Sequence, residues 1–114
     1  MTTKSDETYV VGQGRISLSV MIGNAQIGSS LVKLDEKEIG RGNINNLPIG
    51  NGSELVGKVL SIKTIVSDVS DKTNLLTVRY ALKGGKIDKS YDLREEVAEE
   101  GDSTIFRTSI VFSN

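Results

Sequence analysis

"RISLSVMIG", residues 15–23, alternates in steps of two. Ile16, Leu18, Val20 and Ile22 share one parity, and Ser17, Ser19 and Met21 share the other. Successive side chains of an extended chain point to opposite faces, so this spacing predicts a strand with one apolar face and one wetter face.

The same period recurs on both sides. In "LLTVRYAL", residues 75–82, it selects Leu76, Val78, Tyr80 and Leu82; in "STIFRTSIVFS", residues 103–113, it selects Phe106, Ile110 and Phe112. Phe106, Ile110 and Phe112, with Leu60, Ile62, Val78 and Tyr80, are the expected core. "ELVGKVLSIKTIVSDV", residues 54–69, is partly apolar on both parities, as a central strand or a strand with a bulge midway would be. "KSYDLREEV", residues 89–97, puts Tyr91, Leu93 and Val97 on one side. A short helix near 92–100 is the rival there: Asp92 and Glu95 have the spacing of a capping box, and Gly101 suits a helix end. The alternation from Tyr91 favours a strand.

Turn chemistry separates these runs. Gly23-Asn24 predicts a hairpin that returns through residues 25–34, where Gly28-Ser29-Ser30 suggests a bend or bulge. "DEKEIGRG" reads as a turn with a short strand, "SDKTN" as a polar turn, and Gly84-Gly85 as a hairpin. Asn51-Gly52 reads as another hairpin, with Gly52 at positive φ. About seven short strands at roughly ten-residue spacing make an all-β fold, a single antiparallel β-sandwich over residues 8–114. Residues 1–7 are polar and are expected to form a disordered tail. The strand spacing resembles the outline of immunoglobulin-like and C2-like sandwiches. The cysteine pair and tryptophan of antibody-type domains are missing, and no aspartate loops match the C2 pattern.

The composition removes most chemistry. With no histidine and no cysteine among the 114 residues, neither a Ser-His-Asp nor a Cys-His site can be built, and zinc loses its usual ligands. Gly12-x-Gly14 and Gly40-x-Gly42 do not complete a dinucleotide fingerprint. Tyr80 stands where a phosphate loop ending in Gly85-Lys86 needs glycine. No cofactor is expected. A net charge of −1 and the lack of aromatic residues between basic ones argue against nucleic acid. No stretch suits membrane insertion, and no leader is recognisable. The default compartment is the cytoplasm, with leaderless export left open.

Three candidate sites remain. The Gly/Asn-rich loop 40–52, "GRGNINNLPIGNG", offers Asn43, Asn45, Asn46 and Asn51 for a small ligand such as a carbohydrate, with Ile44, Leu47 and Ile49 as anchors to the core. Asp68, Asp71 and Asn74 are oxygen donors for calcium, although their spacing is not that of an EF-hand. Asp92 with Glu95 is the carboxylate pair of the remotest reading, a hydrolase. Glu95, Glu96, Glu99, Glu100 and Asp102 read as a solvated acidic edge. The first expectation is therefore a non-catalytic protein–protein interaction or structural module. Its settings would be a subunit of a phage-tail-like or secretion assembly, or an inhibitor or immunity protein. It would use a protein partner or self-association, through strand addition or symmetric pairing.

Overall fold

The computed structural model describes residues 2–23, 26–69, 74–97 and 101–114. The strands are β1 (Thr2–Val10), β2 (Arg15–Ile22), β3 (Ile27–Leu34), β4 (Lys37–Gly42), β5 (Leu47–Asn51), β6 (Val59–Ser67), β7 (Leu75–Lys83), β8 (Lys89–Glu96) and β9 (Ser103–Ser113). One helical turn, α1 (Gly52–Leu55), lies between β5 and β6. They form a five-stranded sheet in the order β1-β9-β6-β3-β4 and a four-stranded sheet in the order β5-β2-β7-β8. The all-β sandwich is as the alternation predicts, with nine strands among the described residues in place of about seven.

The parities set the interior. Ile16, Leu18, Leu60, Ile62, Val66, Leu76, Val78, Tyr80, Leu82, Phe106, Ile110 and Phe112 are all buried between the sheets. β6 lies between β3 and β9 and pairs with both without a register shift, so no bulge interrupts it; Leu60, Ile62 and Val66 face the interior and Ile65 the exterior. The interior also holds a set of hydroxyls. The Tyr80 hydroxyl donates to Thr64 Oγ1 at 3.2 Å. Thr64 meets Ser30 at 2.8 Å, and Ser5 meets Thr108 at 2.9 Å. Buried hydroxyls without partners cost about 1–3 kcal/mol each, so this set constrains how the two sheets sit on one another.

The N-terminal segment departs from the expectation. Residues 2–7 are not a tail: they belong to β1, which pairs with β9 in parallel from Thr2↔Ile105 to Val10↔Ser113. Every other strand pairing is antiparallel. The inward positions Thr3, Ser5 and Glu7 of β1 are polar, so this part of the strand has no hydrophobic signature. Thr3 Oγ1 instead donates to Glu95 Oε2 on β8 at 2.8 Å. The Tyr91 hydroxyl donates to the Thr8 carbonyl at 3.0 Å, and Tyr9 inserts its ring into the core.

Three turn expectations also change. Gly23-Asn24 makes no β2–β3 hairpin, because β2 and β3 belong to different sheets; residue 24 itself lies outside the described residues. The tight turns are at β3–β4 and at β7–β8, the latter at Gly84-Gly85 as expected. At β3–β4, Asp35 and Glu36 both have positive φ, 45° and 73°, as the favoured two-residue hairpin requires. Asp35 Oδ1 accepts from the Val59 N–H at 2.9 Å, and the Asp35 N–H donates to the Val59 carbonyl. Asn51-Gly52 is likewise no hairpin: it joins β5 to α1, and Gly52 is not among the residues of positive φ. Glycine is required there by close approach. The Gly52 N–H donates to the Gly14 carbonyl at 2.8 Å, and a Cβ on Gly52 would collide with the Gly12 carbonyl oxygen. Finally, β3 pairs with β6 without a register shift from Ile27 to Leu34, so no bulge interrupts that pairing at Gly28; a shift occurs against β4, between Val32 and Lys33. The helix considered near 92–100 is replaced by β8 up to Glu96, and residues 98–100 lie outside the described residues.

Two outcomes follow from this core. Phe106→Ala should lower stability by about 3–5 kcal/mol in chemical denaturation, as expected for a fully buried ring. Burial raises the pKa of Tyr9, Tyr80 and Tyr91 above the ordinary 10.0. In the unfolded chain these phenols ionise first, so stability is unaffected below pH 10.0 and falls as pH rises above it. Denaturation midpoints measured across that range should decline, and Tyr80→Phe should lessen the decline.

Candidate functional site

The outer face of the four-stranded sheet carries the best-formed surface. Alternation that buries Ile16, Leu18, Val78 and Tyr80 turns Ser19, Met21, Thr77, Arg79 and Ala81 outward. The register places Met21 opposite Arg79 and Arg79 opposite Asp92, with Ser19 opposite Ala81 in the next row. A depression of about 500 Å³ lies over Met21, Thr77, Arg79, Asp92 and Arg94. A second, of about 410 Å³, lies over Ser19, Met21, Ala81 and the three asparagines of residues 43–46. Met21 belongs to both and is 48% exposed.

Arg79 and Asp92 form a two-pronged ion pair, Nε to Oδ1 at 2.7 Å and a terminal nitrogen to Oδ2 at 3.2 Å. The hydrogen bond from Arg79 lowers the Asp92 pKa, and the same contact raises that of Arg79. Both side chains are 55% exposed, so water screens the pair and its contribution to stability is small. Its consequence is geometric: it holds a planar guanidinium beside Met21.

Residues 43–46 form the rim. Ile44 is buried, and its carbonyl accepts from the Val20 N–H at 3.0 Å. Ile49 is buried and Leu47 packs against the core, so all three aliphatics anchor the segment as expected. Asn43, Asn45 and Asn46 are exposed. Asn46 has φ 52°, and its N–H donates to Ser19 Oγ at 2.9 Å. Asn43 and Asn45 make no side-chain hydrogen bond among the described residues. Asn51 stands apart from the other three. It pairs with Arg15 at the far end of β5, and its side chain donates to Glu54 at 3.0 Å.

The carboxylate pair does not converge. Asp92 and Glu95 lie on opposite faces of β8: Asp92 points outward to Arg79, and Glu95 accepts from Thr3. They cannot share a cleft. Asp68 is buried, and its backbone pairs with Gly101 and Asp102, tying the β6–β7 connection to the β8–β9 connection. The Asn74 carbonyl accepts from the Val97 N–H at 3.0 Å. Asp71 lies outside the described residues, and among those described no three acids gather as a metal site. Of the acidic edge, Glu96 and Asp102 are exposed and Glu95 is half-buried, while Glu99 and Glu100 lie outside the described residues. No helix of the described residues is long and apolar enough to cross a membrane.

Sequence reasoning missed Met21 and Arg79. Met21 did leave a signal: it is the large apolar residue on the otherwise serine-lined face of "RISLSVMIG". Arg79 left none, because its place beside Met21 follows from the pairing of β2 with β7. The chain matches no family model, no curated protein and no solved structure.

Replacing Asn43, Asn45 and Asn46 together by alanine should cost about 1–2 kcal/mol in denaturation. Nearly all of that should come from Asn46, whose left-handed backbone disfavours alanine. Asn43→Ala with Asn45→Ala alone should leave the midpoint within about 0.5 kcal/mol of the unaltered protein.

Proposed function

We propose that the chain is a non-catalytic protein–protein interaction module that docks a partner, or a copy of itself, on the outer face of the four-stranded sheet. The observation that carries this reading is the exposed Met21 beside the Arg79–Asp92 fork, with Asn43 and Asn45 free to bond at the rim. Interfaces are enriched in methionine and arginine, and arginine recurs at their energetic centres. An unbranched thioether adapts to an irregular partner, and exposed amides adjust their hydrogen bonds. The face is shallow, which suits another protein surface better than an enclosed small molecule. The composition supports the same reading, since it holds neither histidine nor cysteine for acid–base or nucleophilic chemistry.

The test compares the unaltered protein with Met21→Glu and Arg79→Ala in sedimentation velocity and in affinity capture from source lysate with mass spectrometry. The unaltered chain is expected to self-associate or to retain a defined partner. Both variants should lose that association by about tenfold or more at unchanged thermal midpoint. A chain that stays monomeric at high concentration and captures nothing, or variants that retain the same partner, would refute the proposal.

A further inference from the structure

The opposite side of the sandwich carries a row of cations. Registers across the five-stranded sheet place Lys4 opposite Arg107, Arg107 opposite Lys63, Lys63 opposite Leu31, and Leu31 opposite Arg41. Lys33 stands one row along, opposite Ser61 on one side and Glu38 on the other. Glu38 is engaged by Arg41 at 2.7 Å. Among the described residues, no carboxylate forms an ion pair with Lys4, Lys63 or Arg107. Asp6, opposite Ser109, is the other acid on this face. A depression of about 290 Å³ is lined by Leu31, Lys33, Ser61, Lys63, Arg107 and Ser109.

Like charges directly opposite one another on neighbouring strands are destabilising. Lysines often protect sheet edges from unwanted pairing, but Lys63 and Arg107 stand on β6 and β9, which are both internal strands. Edge protection therefore does not account for them, whereas an anionic partner does. Ile65, 44% exposed, stands in the next row, and Val111, 41% exposed, stands two rows along on the other side, so the complement has aliphatic as well as acidic groups. All five aromatic residues are buried, leaving none on this face to stack a base. We propose that the outer face of the five-stranded sheet binds an acidic protein segment, whose carboxylates meet Lys4, Arg107 and Lys63 and whose aliphatic side chains rest on Ile65 and Val111. This face is separate from the Met21 face, and either assignment can fail without the other.

The test titrates the isotope-labelled full chain with an oligoglutamate peptide, an oligoglutamine of equal length and an oligothymidylate, following backbone amide shifts. Oligoglutamate should shift Lys4, Ser61, Lys63, Arg107 and Ser109, and the effect should weaken as salt screens the charges. Lys63→Gln with Arg107→Gln should weaken binding by about tenfold. The same double change should raise the thermal midpoint by relieving repulsion, which also shows that the variant folds. Lys58→Gln with Lys86→Gln, two charges elsewhere on the surface, should leave binding unchanged. The proposal fails if oligoglutamate shifts nothing on this face, if oligothymidylate binds more tightly there, or if the Lys63/Arg107 variant binds as well as the parent. Self-association abolished by that variant would also overturn it, by assigning the face to a second copy of the chain.

Discussion

The sandwich depends on the hydroxyl of Tyr80. Apolar packing draws the two sheets together, but it is non-directional and leaves their relative placement loosely specified. Tyr80 rises from β7 and donates to Thr64 on the facing sheet, where Thr64 in turn meets Ser30 on β3. The same hydroxyl also bonds Thr108 on β9, which meets Ser5 on β1. One phenol thus meets hydroxyls on β6 and β9, and those meet further hydroxyls on β3 and β1. Sliding either sheet would strand several buried polar atoms at once, and each would cost more than a typical apolar contact gains.

A second set of tyrosines ties β1, an edge strand of one sheet, to the other sheet. The Tyr9 hydroxyl donates to the Ile87 carbonyl at 2.9 Å and accepts from the Gly85 N–H at 3.0 Å, so β1 holds the β7–β8 turn. Tyr91 reaches from β8 to the carbonyl of Thr8, covering part of the free edge of β1. A capped edge is a poor template for strand addition.

The two outer faces differ in chemistry. One presents Met21, a neutralised Arg79–Asp92 fork and asparagine amides. The other presents cations and aliphatics. A net charge of −1 does not reveal the row of cations on one face.

The period-two pattern of residues 15–23, 75–82 and 103–113 by itself determined that the chain is all-β, which residues of those segments face the core and which face the solvent. Pattern suffices there because burial of one face is a local property of a strand. Glycine and asparagine marked the turns, but they did not say which strands the turns join. Asn51-Gly52 has the composition of a hairpin and makes none, whereas Asp35-Glu36 makes one because Val59 satisfies Asp35 from another strand. β1 was illegible since its inward Thr3 and Ser5 are held by hydrogen bonds to Glu95 and Thr108, about a hundred residues away, and not by apolar burial. The same limit applied to the sites. The asparagines of the loop were visible in the sequence, while the separation of Asp92 from Glu95, the fork beside Met21 and the row from Lys4 to Lys63 are products of strand register. Register is decided between segments distant in the chain, by which pairing satisfies the most backbone groups while keeping the apolar faces together.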